Sequence, residues 1–118
     1  MPQSPNPYDF LPSVPVFEVQ SNDVSDGEML SLPQVSGIFG AGGEDVSPHL
    51  AWTGAPEDTK SYAVTCFDPD APTGSGFWHW VVYDIPAEIS ELSTGAGSQD
   101  GEFLPLGAKQ LKNDAGLY

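Results

Sequence analysis

The stretch DPDAPTGSGFWHW (residues 68–80) sets two carboxylates, two prolines, three aromatic rings and an imidazole side by side, in a chain with only two histidines. Several chemistries fit these residue types. Asp70 and His79 could serve as acid and base in a hydrolytic reaction. Asp68, Asp70 and His79 together could offer a metal two carboxylates and an imidazole, although a short Asp-x-Asp spacing with one histidine is common by chance. Ser75, in TGSGF, lacks the G-x-S-x-G pattern of a serine nucleophile held on a strained elbow. His49, in VSPHLAW, has no clear carboxylate partner in the sequence, so a covalent mechanism lacks visible parts. The plainer readings are Asx turns for the two aspartates, a core role for His79, and sheet packing for Trp78 and Trp80.

The elements around this stretch must hold its side chains. SYAVTCF and FWHWVVYDI are rich in aromatic and β-branched residues and read as the two strongest strands. Sequential strands are usually neighbours, so Asp68 at the end of one and His79 near the start of the other fall at one rim, with Asp70 in the connection. Pro69 and Pro72 fix φ at two points and stiffen that connection. Alternation assigns Phe77, His79, Val81 and Tyr83 to one face, and Trp78, Trp80 and Val82 to the other.

Elsewhere, twelve prolines and thirteen glycines punctuate short apolar runs and leave little room for an amphipathic helix. The chain therefore reads as all-β, a single domain over residues 1–118 with an irregular arm at 1–15. Strands are expected at 16–21, at HLAW and near 108–111, and one helical turn at PAEISEL. The glycines of residues 34–52 are followed by no helix pattern and no Gly-Lys-Ser/Thr, so Gly40, Gly42 and Gly43 do not read as a phosphate loop.

Three lysines and no arginine face seventeen acidic residues, a formal charge of −14. Nucleic acid is thereby a poor partner, because phosphate backbones need clustered cations. Docking on an anionic membrane through a basic patch is disfavoured for the same reason. Cys66 is alone and reads as a buried strand thiol. No signal-type segment or run of ~20 apolar residues is evident, which makes the cytoplasm the expected compartment.

Taken together, DPDAPTGSGFWHWVVYDIPA, with SPHLAW before it and LPLGAKQLKNDAGLY after it, resembles the phosphatidylethanolamine-binding protein family, which includes Raf kinase inhibitor proteins, in its bacterial and archaeal branch. The resemblance runs from about residue 14 to the end. It implies a Greek-key β-sandwich of two antiparallel sheets with few short helices, and a small anion-binding pocket at one end. Position by position, Asp68, Asp70 and Pro72 match the family's pocket wall and His79 its pocket imidazole, with Trp78 beside it. The function implied is binding of a phosphate-like group, a carboxylate or a phospholipid head group, with a regulatory role toward a kinase, a protease or a lipid process. Neither catalysis nor a cofactor or metal is expected, and the hydrolytic use of Asp70 and His79 is the alternative. Family domains continue past the point where this chain stops, so the fold is expected to lack its C-terminal part, and a homodimer or a second chain to complete it.

Overall fold

The computed structural model describes residues 7–35, 37, 42–71, 74–98 and 101–118. Six strands form two antiparallel sheets of three: β1 (Glu18–Gln20), β2 (Leu50–Thr53) and β5 (Glu91–Leu92) in the order β1-β2-β5, and β3 (Ser61–Asp68), β4 (Phe77–Pro86) and β6 (Lys109–Leu111) in the order β3-β4-β6. The expected all-β, two-sheet architecture is present. The strands are shorter than the sequence suggests at both ends of the chain. The arm contains a 3₁₀ turn at Pro7–Phe10, and a second 3₁₀ turn spans Leu32–Gln34. PAEISEL is not helical: a turn at residues 87–88 leads into β5.

The two sheets pack their inner faces together. Trp52 and Leu92 from one, Trp80, Val82 and Ile85 from the other, and Ala96 from the following loop form the buried core. Each large apolar side chain withdrawn here is worth about 1.5–3 kcal/mol. No helix among the described residues is long and apolar enough to cross a membrane.

β3 and β4 pair as expected, but their register slips twice. Cys66 faces Trp80 while Phe67 faces Trp78, so His79 is an extra residue on β4. Tyr62 faces Ile85 while Val64 faces Val82, which leaves one more extra residue on β4 near Asp84, whose φ is +55°. Such bulges break strict alternation. The two-face assignment from alternation is corrected accordingly: Phe77, His79 and Trp80 all line one cavity, and Val82 and Ile85, three positions apart, are both fully buried.

Candidate functional site

β3 ends at Asp68 because Pro69 cannot donate to the ladder, and the chain turns at residues 69–70. The Asp70 backbone N–H donates to the Asp68 carboxylate at 3.0 Å, an Asx-type bond that holds the corner. The chain re-enters β4 through Gly76, at φ +78°. A Cβ there would meet the Phe67 ring at 2.6 Å and the Asp68 carbonyl at 2.9 Å, so only glycine allows this close return.

The return carries His79 to Asp68, with Nε2 3.9 Å from Oδ2. That is an ion-pair approach, too long for a hydrogen bond. Both side chains are partly open to solvent, and the imidazole packs against the Phe77 ring at 4.7 Å between centroids. They line an open cavity of about 1180 Å³ between one end of the β3-β4-β6 sheet and the loop segments around residues 44–48 and 97–98. Trp80 forms its inner wall, held by its indole N–H donating to Gln110 Oε1 at 2.7 Å.

The opposite wall joins two segments remote in sequence. The Gly97 N–H donates to Ser47 Oγ, and the Ser47 N–H to Ser98 Oγ. Gly97 lies against the Trp80 indole with no room for a Cβ. A third wall comes from the segment after β6. Asn113 Nδ2 donates to the His79 carbonyl at 3.1 Å, and its Oδ1 accepts from the N–H groups of Ala115 and Leu117. Asp114 continues the pairing with β4: its N–H donates to the Trp78 carbonyl, and its carboxylate accepts from the Trp78 N–H.

Of the residues singled out from the sequence, Asp68 and His79 meet on the cavity wall, together with Pro69. Asp70 is exposed at the corner. Trp78 is 41% exposed and stacks on Phe67 at 4.4 Å between centroids, away from the cavity lining. Pro72 lies outside the described residues. Among the described residues no cluster of three His, Cys, Asp or Glu side chains could hold a metal.

Two expectations are overturned. Cys66 is exposed, because its position opposite Trp80 turns it toward the open cavity. Crowding by surrounding atoms, then the nearby Asp68 carboxylate, push its thiol pKa up. His49 does have a carboxylate partner, with Nε2 2.8 Å from Glu91 Oε2. Its Nδ1 accepts the Asn22 N–H at 3.0 Å, so both ring nitrogens are engaged in holding β2 to its neighbours.

A model of the phosphatidylethanolamine-binding protein family matches residues 20–117. The chain belongs to that family. It is 50% identical over 107 residues to UPF0098 protein YbcL of Escherichia coli, a match covering 91% of this chain and 58% of YbcL. It is 49% identical to UPF0098 protein YbhB of the same organism, over 81% of this chain and 60% of YbhB. The crystal structure of YbcL, described as a new member of the mammalian family, superposes with a TM-score of 0.83 at 53% identity, over 85% of this chain and 61% of that one. The chain thus spans about three-fifths of the length of these relatives.

Proposed function

We propose that this member of the phosphatidylethanolamine-binding protein family binds a small anion, a phosphate-like group, a carboxylate or a phospholipid head group, in the cavity walled by Asp68 and His79. The observation that carries the reading is the Asp68–His79 pair, 3.9 Å apart and solvent-accessible on the wall of a cavity large enough for a head group. The position of the pair is set by backbone and side-chain bonds before any ligand arrives, which lowers the ordering cost of binding. An ionised carboxylate only accepts hydrogen bonds, so Asp68 cannot hold an anion by itself. Its roles in this reading are to orient the imidazole and to receive the ammonium of an ethanolamine-type ligand. His79 offers a ring N–H to the anion.

Calorimetric titration with phosphoethanolamine and with inorganic phosphate tests this. Saturable binding of both is expected, weakened about tenfold or more in His79→Ala, as hydrogen bonds to charged groups are worth about 1.5–3 kcal/mol. Asp68→Asn should weaken phosphoethanolamine more than phosphate, because only the former loses an ammonium partner. Absence of saturable binding, or a His79→Ala variant that binds as tightly as the parent, would overturn the reading.

A further inference from the structure

The cavity poses an electrostatic difficulty. Its lining includes Glu44, Asp45 and Asp68, and the chain as a whole carries −14. An anion entering it moves against both the local and the overall field. A single imidazole is a weak answer, so a permanent cation is needed, and the chain has three lysines from which to draw it.

Two of the three are placed elsewhere. Lys109 Nζ lies 2.9 Å from Asp84 Oδ2 and sits over the Tyr83 ring. Lys60 precedes Ser61 at the start of β3, while Asp68 is at its far end. Eight strand residues rise by about 3.3 Å each, which separates Lys60 from the cavity rim by more than 20 Å, roughly.

Lys112 is different. β6 pairs with β4 so that Leu111 faces Val81 and Gln110 faces Val82. The pairing runs on past the strand, because Asn113 bonds the His79 carbonyl and Asp114 bonds the Trp78 backbone. Lys112 therefore stands across from Trp80, one step from His79. Gln110 is on the inner face, where it accepts from the Trp80 indole, and alternation returns Lys112 to that same face. Lys112 lines the cavity that holds Asp68 and His79, and among the described residues no carboxylate lies within ion-pair distance of it.

We infer that Lys112 is the anchoring cation of the cavity, a specificity-determining residue that pairs with the charged oxygen of a phosphate or carboxylate ligand, while the Asn113–Asp114 clamp on β4 fixes its position beside His79. This rests on the anion-binding reading above. Lys112 supplies the long-range attraction, which explains how one of the few cations of an acidic molecule can act where the net field opposes the ligand. A neutral ligand of the same shape gains nothing from it.

The test is titration of inorganic phosphate into the parent chain and into Lys112→Met, Lys112→Arg and Lys60→Met, each at about 0.02 M and about 1 M sodium chloride, between which the Debye length falls from roughly 20 to roughly 3 Å. Lys112→Met should lose about tenfold in affinity at low salt, equivalent to about 1.4 kcal/mol, and little at high salt. Lys112→Arg should retain most of the affinity, and Lys60→Met all of it. Melting temperatures close to the parent's would show that the exposed substitution leaves the fold intact. Lys112→Met binding like the parent while His79→Ala loses binding would overturn the role of Lys112 and leave the anion site standing. A parent chain that does not bind phosphate would overturn both. Equal losses in Lys112→Met and Lys60→Met would reduce the effect to net charge and likewise overturn the assignment.

Discussion

At the scale of single residues, the molecule uses its carboxylates in two ways. Asp68 stands open on a cavity wall, whereas Asp23 ties segments together. The Asp23 carboxylate accepts from the Thr94 hydroxyl at 2.5 Å and from the His49 backbone N–H at 2.6 Å. The Thr94 bond first, then the His49 bond, hold its pKa below the usual carboxylate value. A carboxylate whose pKa is lower folded than unfolded adds stability above its unfolded pKa, about 3.9, and loses it as pH falls through the folded value. The parent chain should therefore lose stability below about pH 4 more steeply than Asp23→Asn, which lacks that charge at every pH. Melting temperatures of the two from pH 7 to pH 2 check this: a gap at neutral pH that narrows in acid is expected, and a constant gap would contradict it. Asp68 and His79 were legible as a pair because they flank one short connection. Lys112 was not, because its place beside His79 depends on bonds between residues more than thirty positions apart. The His49–Glu91 pair escaped notice for the same reason.

At the scale of elements, β4 is the strand that decides the site. Aromatic and β-branched content made it and β3 readable, but nothing in FWHWVVYDIP marks which residues are extra in the register. Bulges are set by the partner strand and the curvature the core demands, and neither is local. The bulge at His79 lets the imidazole and the Trp80 indole face the same cavity. The bulge near Asp84 lets Val82 and Ile85 both enter the core. Asp84 holds φ at +55°, a conformation that costs a β-branched residue more than Asp or Asn. Asp84→Val should destabilise the chain by about 1–2 kcal/mol from this strain. Asp84→Asn loses only the exposed bridge to Lys109, worth about 0.2–1 kcal/mol. Urea unfolding of both variants gives the comparison, and equal costs would mean that the backbone at Asp84 is not the constraint.

For the whole molecule, the two packed antiparallel sheets bear out the all-β reading. A formal charge of −14 on a chain of 118 residues repels itself in the folded state. Only one lysine bridge, Lys109 to Asp84, is formed among the described residues. Added sodium chloride should accordingly raise the melting temperature as the repulsion is screened. A fall would mean that specific pairs outweigh the net charge.

Two walls of the cavity join segments that meet only in the finished fold, residues 45–48 with 95–98 and Asn113 with β4, whereas Asp68 and His79 share one hairpin. That hairpin carries one wall, and no local piece of chain carries the whole pocket. Occupancy and folding are thus one equilibrium, and any ligand taken by the pocket is a ligand of the native state alone. By mass action, such a ligand at a hundred times its dissociation constant deepens the native well by about 2.7 kcal/mol. Conversely, a substitution anywhere in the core that raises the unfolded population to a substantial fraction weakens apparent affinity without touching a single residue of the pocket.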